Sequence, residues 1–269
     1  MANQVLNVAP KIVETLIHPT AIIDPSARIG KNVHIGSYSV IGPDVEIDND
    51  TWIGPHVVIQ GPTSIGHGNQ IFQFASVGEM PQDLKYRGEK TSLHIGDRNI
   101  IREFCTINRG TIQDQSATRI GHDNLFMAYV HIAHDCQIGN GTIFANNASL
   151  AGHVVVEDHA ILSGFSGVYQ FCRIGAYSFA ATNSVIIKDV PPFVKVSGYY
   201  AKPFGLNIIG LTRHEFPLKT IRALKNAYKI IYRQGLTLNQ AIETLQNTDC
   251  AEVAQMIGFI TNARGGIVR

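Results

Sequence analysis

An apolar and mostly branched residue recurs at every sixth position over much of this 269-residue chain. An α-helix repeats about every 3.6 residues and a half-buried strand about every two, so neither produces this spacing. A six-residue period held over many repeats is typical of a parallel β-helix, in which each hexad is one short strand that then turns a corner. The apolar positions form two blocks: Ile17, Ile23, Ile29, Ile35, Ile41, Ile47, Ile53, Ile59, Ile65, Ile71 and Val77, then Ile132, Ile138, Phe144, Leu150, Val156, Leu162, Val168, Ile174, Ala180 and Ile186.

The pattern is interrupted twice before it ends. Residues 79–94 and 109–119 lack it, and we predict that both are external loops, which in a rigid repeat are usually functional. The repeat stops at Pro191-Pro192. We therefore expect a mostly β fold, with a β-helix over residues 1–200, its first 16 residues a short lead-in, and a C-terminal α-helical domain over residues 201–269.

The last part of the chain has the pattern of helices. Pro217 suits the first position of a helix, Thr237 and Gln240 match a capping box, and a final helix is expected from Ala251 to about Asn262. Helices placed here would cover the open edge strands of the repeat. The first long helix has an apolar stripe, formed by Ile221, Leu224, Tyr228 and Ile231. Its other face is basic and is either simply solvated or a docking surface: Arg222, Lys225, Lys229 and Arg233.

Composition excludes several classes of protein. Charged residues make up 16% and the net charge is +1, which argues against a general nucleic-acid binder. Residues 201–269 nevertheless carry nine basic against four acidic residues. No stretch approaches the ~18 apolar residues of a transmembrane helix, and the first residues lack a signal-peptide pattern, so we expect a cytoplasmic protein. The cysteines form no CxxC pair and are typical of reduced packing residues: Cys105, Cys136, Cys172 and Cys250.

One stretch in the second block has the composition of a functional site. His131-Ile132-Ala133-His134-Asp135 brings two histidines and a carboxylate together, although on the period alone ordinary surface histidines explain it equally well. With other local motifs, the stretch is similar to the UDP-N-acetylglucosamine acyltransferases, the family that opens lipid A biosynthesis in Gram-negative bacteria. The similarity covers nearly the whole chain. Its other motifs are Gln82-Asp-Leu-Lys-Tyr86, Ala145-Asn-Asn147, Leu150-Ala-Gly-His153, Gln170-Phe-Cys172, Ile208-Ile-Gly-Leu211 and Asn226-Ala-Tyr-Lys-Ile230.

This resemblance implies a homotrimer of left-handed, three-sided β-helices with active sites in the clefts between subunits. The implied reaction moves a 3-hydroxyacyl group from acyl carrier protein to the 3-hydroxyl of UDP-N-acetylglucosamine. The acyl group arrives on the phosphopantetheine of the carrier, so neither a separate cofactor nor a metal is expected.

A three-sided coil holds three hexads, or about 18 residues, so that residues n and n + 18 lie one above the other, roughly 4.8 Å apart. This rule places Gly152 over His134, His153 over Asp135 and Ser149 over His131. None of these occupies the inward sixth position, so the imidazoles should lie on the outer wall. We also expect the glycines that follow many of the apolar residues to turn the corners, because glycine takes backbone conformations that a Cβ forbids.

The resemblance assigns roles to these residues. His134 would be the general base for the sugar hydroxyl, since a free imidazole has a pKa of about 6.5. Asp135 would orient His134 or stabilise its cation, and the Gly152 backbone N–H would donate to the thioester oxygen, an interaction worth roughly 3 kcal/mol. The residues that match substrate-holding positions of the family are Asp83, Lys85, His131, His153, Gln170, Asn207 and Arg213.

Thr182 matches the family position at which the acyl tail ends. In the family, glycine at this position is found in enzymes that use longer acyl chains, and a bulky residue in enzymes that use shorter ones. Threonine therefore predicts an acyl chain of intermediate length. By the stacking rule Thr182 continues the column of Asn146 and Gly164. Three departures from the family pattern bear on the preference for the nucleotide sugar, namely Tyr169, Tyr200 and His214.

Three other interpretations stay open. The related N-acyltransferase of the same pathway would carry an extra N-terminal uridine-binding domain, for which hexads beginning at Ile17 leave no room. A zinc-dependent hydratase on the same β-helix would bind metal through three histidines, and His131, His134 and His153 are candidates. A non-catalytic scaffold would not require the loop motifs.

Overall fold

The computed structural model describes residues 14–269, so most of the expected lead-in lies outside the described residues. Each hexad contributes one strand, usually of two residues, and then turns. Within the described part the strands are β1 Leu16–Ile17, β2 Ile22–Ile23, β3 Arg28–Ile29, β4 His34–Ile35, β5 Val40–Ile41, β6 Val45–Ile47, β7 Trp52–Ile53, β8 Val58–Ile59, β9 Thr63–Ile65, β10 Gln70–Ile71, β11 Ser76–Glu79, β12 Ser92–Ile95, β13 Ile100–Ile101, β14 Thr106–Asn108, β15 Ala117–Ile120, β16 Leu125–Phe126, β17 His131–Ile132, β18 Gln137–Ile138, β19 Ile143–Phe144, β20 Ser149–Leu150, β21 Val155–Val156, β22 Ile161–Leu162, β23 Gly167–Val168, β24 Arg173–Ile174, β25 Phe179–Ala180, β26 Val185–Ile186, β27 Val194–Ser197 and β28 Lys202–Leu206.

The strands form three sheets, one for each side of a triangular coil. Sheet A takes every third strand from β1 to β25 and then β27 and β28, sheet B runs from β2 to β26, and sheet C from β3 to β24. All pairings are parallel except that of β27 with β28. His34 pairs with Trp52 and Trp52 with Gln70, each 18 residues apart as predicted. The predicted left-handed β-helix of hexapeptide repeats with C-terminal helices is confirmed.

The sixth-position side chains fill the interior of the prism. Ile35, Ile53, Ile71 and Ile101 are fully buried, and burying an isoleucine contributes about 1.5–3 kcal/mol each. Ile17 is 41% exposed because it lies in the first described coil, beneath which no other described strand pairs. Three of the cysteines pack in the same interior, where burial raises the pKa of their thiols to about 12: Cys105, Cys136 and Cys172.

The glycines after the apolar residues have a different role from the predicted one. Apart from Gly78, they do not have positive φ angles, and the left-handed corner residues are mostly non-glycine, such as Tyr38 at 57°. These glycines are required because the next coil approaches closely. A Cβ on Gly36 would lie 2.5 Å from the backbone nitrogen of Pro55. The prediction that they turn the corners was wrong, since contact between coils is what excludes the side chain.

Both predicted loops leave the prism at the same corner. The first runs over residues 80–91 between β11 and β12, and the second over residues 109–116 between β14 and β15. Each lies between a strand of sheet B and one of sheet C, which we name the BC corner. The intervals 79–94 and 109–119 were too long, because strand pairing begins up to three residues before the sixth position and, at Glu79, continues past it. Leu93 already pairs with Thr63, and Ala117 with Ser92.

Four helices follow the coils in the described part: α1 Ile208–Arg213, α2 Leu218–Arg233, α3 Leu238–Leu245 and α4 Ala251–Thr261. The predicted apolar stripe of α2 is buried. The capping box of Thr237 and Gln240 begins α3 as predicted. Pro217 precedes α2 as its N-cap rather than occupying its first turn. No helix within residues 14–269 is both long and apolar enough to cross a membrane.

The helices are tied to the last strands. The Gly205 N–H in β28 donates to the Tyr228 hydroxyl of α2 at 2.8 Å, and the Arg173 guanidinium of β24 lies 4.1 Å from the centre of the Phe259 ring of α4. Sheet pairing continues past the expected boundary at residue 200, because β28 folds back antiparallel on β27. A strand of this kind has no six-residue period by which it could be recognised.

Candidate active site

The BC corner carries the histidines singled out in the sequence. His134 and Asp135 lie between β17 and β18, and His153 lies one coil further, between β20 and β21. The predicted stacking is confirmed: the His153 N–H donates to the His134 carbonyl at 3.0 Å, and His131 pairs with Ser149. The two external loops leave this corner on the preceding coils. Strand register therefore brings together segments that are distant in the sequence.

His134 and Asp135 form a hydrogen-bonded pair. Nδ1 of His134 lies 2.8 Å from Oδ2 of Asp135, and the Asp135 side chain is fully buried. The second loop covers the carboxylate: the Thr111 N–H donates to both carboxylate oxygens at 2.9 and 3.0 Å, and the Thr111 hydroxyl donates to Oδ2 at 2.6 Å. Burial alone would raise the pKa of Asp135, but the hydrogen bonds from His134 and Thr111 outweigh it and hold that pKa below its ordinary value. Asp135 is therefore an anion at neutral pH.

The His153 ring lies across the His134 ring. The two ring centres are 5.0 Å apart with the planes nearly perpendicular, and the His153 ring also stacks on Phe171 at 4.6 Å. Nδ1 of His153 lies 3.2 Å from a carboxylate oxygen of Asp114 in the second loop, and Nε2 lies 3.9 Å from Asp135. These contacts fix both the position and the orientation of the ring.

Gly152 presents a bare backbone to the His134 ring. A Cβ at this position would lie 2.5 Å from Cε1 and 2.7 Å from Nε2 of His134. Within the described chain the Gly152 N–H has no hydrogen-bond acceptor. The site thus combines a histidine, a buried anion behind it and an unused N–H donor beside it.

His131 projects from β17 beside this group. Its Nδ1 lies 2.7 Å from the Thr106 hydroxyl. Burial, and then the neighbouring His134, lower the pKa of His131. His131 is therefore neutral at pH 7 and can act as a hydrogen-bond donor or acceptor.

The other residues predicted to hold substrate are spread over three places. Asp83 and Lys85 lie in the first loop, where an Asp83 carboxylate oxygen accepts the Lys85 N–H at 2.9 Å. Gln170 is exposed on the BC corner, one coil beyond Gly152. Thr182 is exposed on a different corner, between sheets A and B, which we name the AB corner. One protomer alone does not bring Thr182 to the corner of His134.

Asn207 and Arg213 lie at the two ends of α1. Asn207 caps the helix, since its side-chain oxygen accepts the Gly210 N–H at 3.1 Å and its amide donates to the Tyr177 carbonyl at 3.0 Å. Arg213 is exposed. The capping role could have been found in the sequence, because asparagine is a preferred N-cap residue.

Three side chains of the site could together bind a cation. Among the described residues, one ligand atom each from His134, Asp135 and His153 lie within 4.8 Å of one another. The set differs from the three histidines considered for a zinc hydratase, because His131 is replaced by Asp135. In this arrangement Nδ1 of His134 bonds to Asp135 itself. A metal bound through that nitrogen would have to break the His–Asp pair.

Sequence reasoning missed Thr106, Thr111, Asp114 and Phe171. Phe171 lies 18 residues after His153, so the stacking rule also places it over His153, but it was given no role. Thr111 and Asp114 lie in an irregular loop, whose path no periodicity describes. The sequence did indicate that this loop lies near the site, because it follows a sheet B strand one coil before His134.

Comparison with known proteins gives a consistent result. Residues 189–268 match the family described as UDP-N-acetylglucosamine O-acyltransferase, domain 2, and residues 117–152 match the bacterial transferase hexapeptide family. The chain is 61% identical to the acyl-(acyl-carrier-protein)–UDP-N-acetylglucosamine O-acyltransferase of Thiobacillus denitrificans over 94% of its length and 99% of the relative. It is 58% identical to the protein of the same name from Halorhodospira halophila, over 95% of its length and all of that relative.

Solved structures agree with these relatives. LpxA from Acinetobacter baumannii superposes with a TM-score of 0.92 at 50% identity, covering 94% of this chain and 100% of that one. The UDP-N-acetylglucosamine acyltransferase of Francisella novicida gives a TM-score of 0.92 at 39% identity, covering 94% of both chains. The similarity thus includes the coils, both loops and the helices.

Proposed function

The chain belongs to the UDP-N-acetylglucosamine O-acyltransferase family, and from this membership we propose how its residues perform the reaction. The enzyme transfers an acyl group from acyl carrier protein to UDP-N-acetylglucosamine, the first step of lipid A biosynthesis. The acyl group is a 3-hydroxyacyl chain and the acceptor is the 3-hydroxyl of the sugar. The observation that carries the proposal is the His134–Asp135 pair, held at 2.8 Å beside the free N–H of Gly152.

His134 acts as the general base. Because the Asp135 carboxylate can only accept a hydrogen bond, it holds the proton of His134 on Nδ1 and leaves the lone pair on Nε2. Nε2 takes the proton of the sugar hydroxyl as its oxygen attacks the thioester carbon. The buried Asp135 anion stabilises the imidazolium that forms. A base placed in this way contributes about 10²–10⁴-fold.

The Gly152 N–H stabilises the charge that develops on the thioester oxygen. When the tetrahedral intermediate collapses, the C–S bond breaks and the phosphopantetheine thiolate leaves. The imidazolium of His134 returns its proton to that thiolate, so that the base is regenerated and all atoms balance. No step requires a metal or a cofactor other than the prosthetic group of the carrier.

The remaining residues hold the substrates. His131 and His153 flank His134, and His131 is neutral, which suits hydrogen bonding to an uncharged sugar or acyl hydroxyl. Thr182 limits the acyl chain. Five more residues are proposed to hold substrate because they match family positions that do so: Asp83, Lys85, Gln170, Asn207 and Arg213. Near the nucleotide this chain departs from the residues common in the family at Tyr169, Tyr200 and His214.

The enzyme acts as a homotrimer, and the chemistry of the three sides of the prism supports this. Five aromatic or imidazole rings stack along the AB corner with centres 4.8–5.3 Å apart. Tyr38, Phe74, Phe104 and Tyr129 are each 41–61% exposed. With His56, these four residues form what we name the aromatic edge. A continuous exposed apolar strip of this kind is typical of an interface.

Sheet A, one of the two sheets that meet at the aromatic edge, is mostly apolar outside, whereas sheet C is mostly polar. The outward residues of sheet A include Leu125, Ile143 and Phe179. Those of sheet C are mostly charged or polar: Arg28, Glu46, His94, Arg119, Gln137 and Arg173. Packing copies along the aromatic edge leaves sheet C in solvent. For Thr182, on the AB corner of one subunit, to limit a chain held at His134, it must face the BC corner of another subunit across the cleft between them.

Sedimentation velocity tests the assembly. Phe104→Glu places a charge in the middle of the aromatic edge and should convert trimer to monomer. Arg119→Glu on sheet C is the matched control and should leave the trimer intact. A trimeric Phe104→Glu variant would exclude the aromatic edge as the interface.

The chain works in the cytoplasm, where acyl carrier protein and nucleotide sugars are substrates. Its helices α1–α4 form a helical part beside the β-helix, whose sheet A extends through β28 Lys202–Leu206. The direct test of function is an assay with 3-hydroxyacyl carrier protein and UDP-N-acetylglucosamine, with mass spectrometry of the product. The expected product is the 3-O-acylated nucleotide sugar, formed equally well after treatment with EDTA. Absence of the acylated product, together with stoichiometric zinc in the purified protein, would support the hydratase interpretation.

A further inference from the structure

The second loop, residues 109–116, touches two residues of the site at once. Thr111 contacts Asp135 and Asp114 contacts His153. We propose that Thr111 and Asp114 are positioning residues of the acyl transfer, Thr111 acting through Asp135 and Asp114 through His153. The inference rests on the proposed function, because it assigns His134 and Asp135 to the reaction.

The loop is fixed to the prism at its base. The Arg109 guanidinium donates to the carbonyls of Gly61 at 2.9 Å and Gly78 at 2.6 Å. The Gly110 N–H donates to the Ser92 carbonyl at 3.1 Å. Because Gly61, Gly78 and Ser92 belong to earlier coils, the loop is attached to a rigid body and can hold Thr111 in a defined place.

Thr111 supplies two of the donors that surround Asp135. Its N–H and its hydroxyl reach the carboxylate at 2.6–3.0 Å, and the third donor is Nδ1 of His134 at 2.8 Å. The Asp135 side chain is shielded from solvent, so no water can replace the Thr111 hydroxyl without rearrangement. The Thr111 hydroxyl thus fixes which oxygen of Asp135 faces His134, and it affects how strongly that oxygen accepts the hydrogen bond from His134.

Asp114 orients the ring of His153. A carboxylate cannot donate, so Nδ1 of His153 carries the proton that lies between the two groups. Nε2 is then directed towards Asp135 and the His134 ring. Asp114 is half-exposed and its own position depends on the loop, whereas the His153 side chain is only 12% exposed. Asp114 therefore sets the orientation of a residue that holds substrate, without touching the reacting atoms.

Variants of Thr111 separate this role from a structural one. Thr111→Val keeps the shape but removes the hydroxyl donor, and should lower kcat by about 10–100-fold, the usual effect of removing a hydrogen bond to a buried charged group. Thr111→Ser restores the donor and should recover most of kcat. Gln115→Ala, in the same loop and exposed, is the control and should change kcat by less than about threefold.

The pH profile provides a readout that loss of folding would not move. With one donor fewer, Asp135 accepts more strongly from His134 and stabilises its protonated form. The acid limb of the kcat profile should therefore move to higher pH in Thr111→Val. The charged and titratable groups that face His134 are Asp135, His153 and His131, with Asp114 beyond His153. None of these is altered by the substitution.

Asp114→Ala should act mainly on KM for the nucleotide sugar, raising it about tenfold, because it frees a substrate-holding ring rather than the base. Equal kcat and KM for wild type, Thr111→Val and Asp114→Ala would overturn the proposal. So would a Thr111→Ser variant as impaired as Thr111→Val. If wild type itself transfers no acyl group, the proposed function fails. If it does and His134→Ala is inactive while the loop variants are normal, only the present inference fails.

Discussion

The contact between Gly152 and His134 makes Gly152→Ala a sensitive test of the site. The substitution adds one methyl group, and the glycine does not have a positive φ that alanine would strain. The added Cβ would lie 2.5 Å from Cε1 and 2.7 Å from Nε2 of His134, whereas ordinary carbon contacts are about 3.5–4.0 Å. The His134 ring must therefore move by about 1 Å.

The ring cannot move without losing its position in the site. Its Nδ1 is held by Asp135 at 2.8 Å and its edge meets His153. Turning the side chain about 30° off its rotamer costs only about 0.5–1.5 kcal/mol, so the fold survives. Misplacing a reacting group by about 1 Å, in contrast, costs about 10²-fold in rate. We expect kcat to fall by at least about 10²-fold with little change in melting temperature.

Steady-state transfer from 3-hydroxyacyl carrier protein, together with thermal unfolding, measures both quantities. Gly258→Ala is the control, since a Cβ at Gly258 in α4 meets nothing within 4 Å and alanine is favoured over glycine in a helix by about 1 kcal/mol. Its rate should match wild type. A Gly152→Ala enzyme with wild-type kcat would refute the proposed position of the base.

Three further predictions concern the acyl chain, the carrier and the thiols. Thr182→Gly should shift the preference towards longer acyl chains and Thr182→Met towards shorter ones, because each buried methylene contributes about 0.8 kcal/mol and needs its own volume. An assay with carriers of graded chain length measures this, and unchanged profiles would show that another residue limits the chain. Reversing the exposed Arg222 and Lys225 of α2 to Glu should raise KM for the acidic carrier much more than for the nucleotide sugar, with a difference that shrinks as salt is added; equal effects on both substrates would indicate a merely solvated face. In the folded protein at about pH 8, iodoacetamide should modify only Cys250, because the other three thiols have pKa values of about 12, and mass spectrometry showing more than one modified thiol would contradict their burial.

The repeat could be predicted from the sequence because a single periodicity determines strand, corner and stacking together. The 18-residue rule placed Gly152 and His153 over His134 and Asp135 correctly, as their contacts show. It also located both insertions, since any segment without the pattern must leave the coil. The rule grouped these residues before any contact was known, whereas their catalytic roles were assigned from the resemblance to the family.

The sequence did not reveal what the loops do or where the coils end. Thr111 and Asp114 contact the site through irregular backbone, for which spacing carries no information. Asp135 is buried because that loop covers it, so its burial could not be predicted from the sequence either. Strand β28 was missed because its antiparallel pairing with β27 depends on a tertiary turn rather than on a hexad.

In the proposed reaction His134, held by Asp135, removes the proton of the sugar hydroxyl. The most direct measurement is the single-turnover rate of acyl transfer by His134→Ala, with trimer formation and melting temperature recorded on the same preparation. We expect a folded trimer whose rate falls by about 10²–10⁴-fold or more. A folded His134→Ala enzyme with a rate within about tenfold of wild type would contradict it.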